Sequence, residues 1–315
     1  MTSNPAVTTT APGDLADKKL GDLTDVEIAQ LTANLKEEQA KERPLLGETE
    51  PLERLLEEYQ PDSGYRTKVK RLIDDGWSGI RRSRGDGDCF YRTFIFSLLS
   101  SYLARPAALS AQLLSTFESL LPLLSACGFE EIVWSDFWEP LRDLLRRMGP
   151  EEKDGGARKN GEKRLSVGEL FEAFNDQETN SCMIVHLRLL TSAYLRTHSD
   201  DFTPFLFALE DDPRFLQEGG APTMVSFCQF HVEPVNREAD HLQIVALTRA
   251  LGTPLRIAYL DQSGLSGVGY ESGEGGGGGQ VNFFEFEEER AKEDGVVQIE
   301  GALLYRPGHY DILYR

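Results

Sequence analysis

The spacing of apolar positions splits the chain into a helix-rich first two thirds and a strand-rich end. Thr24 and Glu27 stand at capping-box distance, and Ile28, Leu31 and Leu35 follow on a helical repeat, predicting a helix that runs to the stop at Pro44. Leu52, Leu55 and Leu56 predict a second helix over 51–59, and 65–75 reads as a third. From Cys89 onward Phe90, Phe94, Ile95, Leu98 and Leu99 give a strongly apolar helix, entered through the turn Gly85–Asp86–Gly87–Asp88. Further helices are expected over 107–121, stopped by Pro122, and over 136–148. Ser166 and Glu169 form a second capping box that opens a helix through Phe174, and 181–196 and 240–250 complete the set.

After this the period changes. Leu255, Ile257 and Tyr259 alternate as a strand does, and 302–305 and 309–314 read as a pair of strands around Arg306–Pro307–Gly308. Helices followed by strands define an α+β fold. Residues 1–21, small, polar and rich in Pro and Thr, read as a disordered tail. Residues 149–163 (polar, Gly- and Lys-rich) and 263–279 (dominated by glycine) read as flexible insertions. The organisation expected is a tail at 1–21, a helical arm at 22–60 and a main domain at 61–315.

Charge narrows the function. The chain of 315 residues has 33 basic against 52 acidic side chains, a formal net charge of −19, which argues against nucleic acid as a partner; it fits a partner with a basic face, and fits equally a charge that only keeps the protein soluble. Cys89, Cys127, Cys182 and Cys228 lie far apart with no CxxC pair, as in proteins of a reducing compartment, so a cytoplasmic or nuclear location is expected. No basic-then-apolar leader and no membrane-length apolar run are apparent. No Cys/His cluster has zinc-ligand spacing, and the GEGGGGG run lacks the Lys–Ser/Thr ending of a phosphate loop, so no cofactor is expected.

The candidate chemistry lies at the two ends of the main domain. A thiol at a helix N-terminus meets unpaired N–H groups and the positive end of the helix dipole, which favour thiolate. Cys89 is so placed, Gly87 permits close backbone approach, and the 86–89 turn can direct N–H groups at a tetrahedral oxyanion. Alone, such a cysteine reads as a small buried apolar residue. His309 and Asp311, one residue apart on a strand, share a face while Tyr310 and Ile312 take the other, the geometry in which an acid orients an imidazole. Alone, that pair reads as a surface histidine satisfied by a neighbouring carboxylate. His186 reads as structural, His198 as solvated, and His241 as a helix opener capped by Asp240.

Asp86–Gly87–Asp88–Cys89–Phe90–Tyr91–Arg92 resembles the nucleophile motif of ovarian-tumour (OTU) cysteine proteases, and the run from Tyr305 to Tyr314, YRPGHYDILY, resembles the closing motif of their otubain branch. Phe174–Asn175–Asp176–Gln177, the segment from Leu187 to Ser192 and Val232–Glu233–Pro234 resemble otubain segments in the same order. The resemblance implies a papain-like α+β fold, a monomer, and hydrolysis of the isopeptide bond between a ubiquitin C-terminus and a lysine amine. It implies that Cys89 attacks, His309 moves the proton, Asp311 orients the ring and the backbone N–H of Asp86 donates to the oxyanion. It also places Glu233 near the site, where an otubain acid can draw the histidine away before substrate binds, and Ile28, Leu31 and Leu35 on an arm that holds a second ubiquitin. A preference for chains linked through lysine 48, and binding of ubiquitin-conjugating (E2) enzymes without catalysis, are further properties of the branch. Asp88 departs from the asparagine of the animal family member; its charge opposes thiolate formation unless it is spent elsewhere, for instance on capping the helix. The rival readings are a ubiquitin- and E2-binding regulator that inhibits conjugation, and a protease for another ubiquitin-like modifier.

Overall fold

The computed structural model describes residues 43–154, 156–209, 222–261, 280–286 and 297–315. The helix expected at 24–43, with Ile28, Leu31 and Leu35, and the insertion at 263–279 lie outside the described residues. One compact unit spans Pro44–Arg315.

A mixed six-stranded sheet forms its centre, in the order β1-β2-β6-β5-β3-β4. The strands are β1 (Leu46–Pro51), β2 (Gly79–Ser83), β3 (Leu255–Tyr259), β4 (Asn282–Phe286), β5 (Ala302–Arg306) and β6 (His309–Tyr314). Only the β3–β5 pair is parallel. The β5–β6 hairpin turns at Pro307–Gly308, where Gly308 takes φ 76°, a left-handed conformation that costs glycine little.

Alternation along the strands sends side chains into two cores. Leu303, Tyr310 and Ile312 face the large core built on α2 (Cys89–Leu103), α3 (Ala107–Ala126), α4 (Glu131–Met148), α5 (Val167–Asn175) and α6 (Gln177–Thr197), together with α7 (His241–Leu251). Ala302, Leu304 and Leu313 face a smaller core closed by α1 (Gly64–Asp74) and the 3₁₀ helix Leu52–Glu58. Helix α2 is buried on nearly all sides, which explains its apolar run without a polar stripe. Within the large core Phe117 of α3 stacks on Trp138 of α4 at 5.8 Å. Phe117→Ala is expected to cost about 3–5 kcal/mol, read as a lowered urea midpoint at unchanged slope.

Several expectations change. Segment 44–60 is not part of a helical arm: residues 46–51 form the edge strand β1, and Leu52 and Leu55 bury into the smaller core from a 3₁₀ helix. Strands β1 and β2 escape alternation because they are charged. In β2, Arg81 turns inward, 5.1 Å from the ring centre of Phe96 and 4.8 Å from that of Phe171, while Arg82 pairs with Glu50 at 2.7 Å and Glu58 at 2.6 Å. Pro122 lies inside α3 rather than ending it, and α4 begins at Glu131, five residues before the expected start. Helix α3 is, by length and composition, apolar enough to cross a membrane; here Leu113, Leu114, Phe117 and Leu124 are the apolar side chains that it buries. At 149–163, Arg146 pairs with Glu162 at 2.6 Å, and Arg158 donates to the Gly149 carbonyl at 3.1 Å.

Candidate active site

The sheet brings the two ends of the domain together. Cys89 opens α2 and is 1% exposed. His309 opens β6, and α2 packs on that strand, with Phe90 and Tyr310 meeting edge to face at 5.4 Å. The ring of His309 interacts with Asp311 through Nε2, and its Nδ1, which has no hydrogen-bond partner among the described residues, is left for the nearby Cys89 thiol.

Asp311 is fully buried and held by three donors. His309 Nε2 lies 2.8 Å from Oδ1, the Ser83 N–H donates to Oδ1 at 3.0 Å, and Arg306 donates to Oδ2 at 2.6 Å. Each follows from register. Arg306 pairs with His309 across the hairpin, so its side chain lies on the same face and reaches Asp311 diagonally. The last paired position of β2 against β6 is Arg81 opposite Ile312, so Ser83 is past the ladder and its N–H turns to Asp311 instead. Burial alone would push the Asp311 carboxyl up; the hydrogen bond and charge of His309, then Arg306 and the Ser83 N–H, overcome it and hold the group at about 2. Burial likewise opposes a charged His309 ring, but the Asp311 hydrogen bond and then the Cys89 contact raise it to about 10. The imidazole is therefore built to hold a proton at neutral pH.

The turn before Cys89 is fixed by two buried arginines that the sequence reading passed over. Arg92 binds both oxygens of Asp86, at 3.0 and 2.8 Å, and also Ser83 Oγ and Asn180 Oδ1. Arg188 of α6 donates through Nε to Asp88 Oδ1 at 2.9 Å. Asp88 does not cap α2: its carboxylate is spent on Arg188 and on the N–H of Asn236 at 3.0 Å, so its charge is balanced a bond length from the nucleophile's turn. The legible signal for both arginines was position: Arg92 falls one helical turn after Cys89, and Arg188 lies in the buried body of α6.

The remaining site residues fall as follows. The Asp86 N–H donates to the Arg84 carbonyl at 2.9 Å, so in this conformation it is turned inward, and the Cys89 N–H makes a long 3.3 Å bond to the Asp86 carbonyl. Gly87 is needed for close approach, but by the chain itself: a Cβ there would lie 2.1 Å from the Asn236 carbonyl. Glu233 is not beside His309; it accepts from Ser192 Oγ at 2.7 Å and lies 3.7 Å from Arg196. Glu238, five residues on and next to Gly308, is a second carboxyl within the electrostatic reach of His309; burial and then Asp240 push it up, and the His309 charge opposes them. His186 is buried against Trp138 and held neutral by burial, at about 3. His198 stacks on Tyr194 and His241 opens α7. All four cysteines are free thiols. Among the described residues no group of His, Cys, Asp and Glu is placed to hold a metal ion.

A helix-borne thiol facing a strand-borne His–x–Asp pair, in an α+β body with a central sheet, defines a cysteine hydrolase of the papain-like kind. The family model for peptidase C65, otubain, matches residues 38–315. The human ubiquitin thioesterase OTUB1 is 36% identical over 292 residues, 92% of this chain and 90% of the relative. The OTU domain-containing deubiquitinating enzyme 1 of Arabidopsis thaliana is 33% identical over 291 residues, 89% of this chain and 84% of the relative. Among solved structures, an h/ceOTUB1–ubiquitin aldehyde–UBC13~Ub complex aligns with TM-score 0.66 at 27% identity, covering 92% of this chain and 98% of that one. The corresponding complex with UBCH5B~Ub aligns with TM-score 0.67 at 26% identity, covering 92% and 97%. The chain belongs to the otubain family, and as a member it is a cysteine-type deubiquitinase.

Proposed function

We propose that this otubain hydrolyses the isopeptide bond of polyubiquitin with Cys89, His309 and Asp311 as its catalytic unit, preferring chains linked through lysine 48. The observation that carries the reading is the buried, threefold-held Asp311, whose hydrogen bond keeps the His309 ring charged beside the Cys89 thiol. The proton on His309 Nδ1 is the one given up by the Cys89 thiol, and the sulfur attacks the carbonyl carbon of the terminal glycine of ubiquitin. The oxyanion is met by N–H groups of the 86–89 turn, the Asp86 N–H exchanging the Arg84 carbonyl for it. The imidazolium protonates the leaving lysine amine as the C–N bond breaks, leaving a thioester on Cys89. Water, deprotonated by His309, hydrolyses that thioester and restores the thiol.

A panel of differently linked di-ubiquitins tests the linkage. Cleavage confined to the lysine-48 dimer supports the reading, and equal cleavage of all linkages overturns the preference. Deleting residues 1–43 is expected to raise KM for that dimer at least tenfold and to leave labelling by a mono-ubiquitin probe within about twofold; loss of probe labelling would make the segment part of the catalytic body. The cited solved structures, named for complexes with UBC13~Ub and UBCH5B~Ub, favour a second, compatible role. In it the protein binds ubiquitin-charged conjugating enzymes and inhibits ubiquitin transfer. A Cys89→Ala protein that still slows ubiquitin transfer by charged UBC13 would support that role.

A further inference from the structure

Arg188 is 1% exposed, and the hydrogen bonds of its guanidinium join the turn that carries the nucleophile to the segment 232–237. Its Nε donates to Asp88 Oδ1 at 2.9 Å, and Nη2 donates to the same oxygen and to the Gly87 carbonyl at 3.0 Å. Nη1 donates to the Val232 carbonyl at 2.9 Å and Nη2 to the Arg237 carbonyl at 2.6 Å. The guanidinium lies 4.5 Å from the ring centre of Tyr91, two residues past the thiol. Asp88 Oδ1 completes the join by accepting the Asn236 N–H, and Asn236 holds φ 58°, a left-handed value unusual for a side-chain-bearing residue.

Gly87 shows how tight this joint is. A Cβ at that position would sit 2.1 Å from the Asn236 carbonyl and 2.5 Å from the Arg237 nitrogen, so the 236–237 peptide lies directly on the nucleophile turn. The residue that follows this segment, Glu238, lies next to Gly308 of the hairpin that carries His309. One buried guanidinium therefore sets the place of the Gly87–Asp88 peptide and of the strap over it. Its charge is met by Asp88, so the pair adds little net field at the thiol; what remains is geometry.

We propose that Arg188 is a positioning residue for hydrolysis: it fixes the 86–89 turn against the 232–237 strap and so sets the alignment of the oxyanion donors and Cys89. The inference rests on Cys89 being the nucleophile. A misplacement of the turn by about an ångström is worth roughly 10- to 100-fold in turnover.

The test uses the full-length protein and a fluorogenic amide of the ubiquitin C-terminus, with iodoacetamide alkylation of Cys89 as a parallel readout that needs no oxyanion. Arg188→Lys keeps the charge but cannot serve three carbonyl groups and a carboxylate with a planar fork. It is expected to lower kcat at least tenfold with KM within twofold and alkylation within about threefold, at a circular-dichroism spectrum like that of the wild type. Gly87→Ala leaves every charge in place and must push the strap off the turn; it is expected to give the same split, and it stands in if Arg188→Lys fails to fold. Wild-type kcat in a folded Arg188→Lys or Gly87→Ala protein overturns the proposal, as does an equal loss of kcat and alkylation. Cys89→Ala in the same assay separates the premise: turnover surviving in that variant would overturn the nucleophile assignment itself.

Discussion

In a Cys89→Ala protein, cleavage of lysine-48-linked di-ubiquitin is expected to fall by about 10,000-fold or more, with the fold retained. The size follows from what is lost. Without the sulfur there is no thioester path, and the remaining groups can only orient water. The fold should survive because Cys89 is a small side chain at the first position of α2, and the core beneath is made by Phe90, Phe94 and Ile95. His309→Ala is expected to lose a similar factor, since a thiol without its base is neither deprotonated nor supplied with a proton for the leaving amine. The double variant should be hardly worse than either single one, because members of one catalytic unit are not additive. The measurement is kcat/KM for the three proteins under one condition. Turnover near that of the wild type in either single variant would remove that residue from the unit, whereas losses that multiply in the double variant would mean two separate roles.

The positions of these three residues were legible, their proposed roles came from the resemblance, and their supports were not legible, for a physical reason. A strand sends every second side chain to one face, so His309–x–Asp311 could be read as a pair from spacing alone, and a glycine-bearing turn handing over to an apolar run located Cys89. What held them depended on register between distant segments. Ser83 reaches Asp311 because β2 stops pairing with β6 at Arg81, and Arg306 reaches it because a two-residue turn sets it opposite His309. Neither register has a local signature. Strands β1 and β2 were hidden for a related reason: their arginines and glutamates satisfy one another across strands instead of facing water, so period-two hydrophobicity never forms. Long helices were legible in type and less so in extent: Pro122 is tolerated inside α3, which packs well on either side of it. Glu233 shows the limit of reading a loop by its motif. Its carboxylate turns to Ser192 and Arg196 of α6.

The two aspartates before the thiol look unfavourable in sequence, since negative charge beside a nucleophile opposes thiolate. The structure answers each with a buried arginine, Arg92 for Asp86 and Arg188 for Asp88. Each pair is hydrogen-bonded on several sides, the condition under which burying charge is tolerated. Their common effect is a rigid turn, so the acidic motif is better understood as scaffolding for Cys89 than as part of its electrostatics.

Asp311→Asn should separate orientation from proton affinity. The amide can still accept from His309 Nε2 through its oxygen, so the ring keeps its place, but the negative charge that raises the ring is gone. With Asp311 ionised, His309 stands near 10, and the imidazolium needed to protonate the leaving amine persists through neutral pH; activity is lost only as pH rises through that raised value. In Asp311→Asn the ring should fall back toward the ordinary histidine range of about 6.5, where burial would lower it further. The alkaline limb of kcat/KM is therefore expected to move down by at least one pH unit, and turnover at pH 7.5 to drop by about 100-fold or more. Asp311 itself, held near 2, cannot set the acid limb of the wild type in the range where the protein is assayed. Arg306 would then be left facing an amide with its own charge only half met by Glu58, so some loss of stability is expected alongside. A pH–rate profile from pH 5 to 10 on folded protein decides the matter. A downward shift of the alkaline limb with the loss confined to kcat assigns Asp311 as the group that charges His309. A profile that only scales down, with its limbs unmoved, would mean that Asp311 holds the ring in place and the proton affinity is set by the thiol alone.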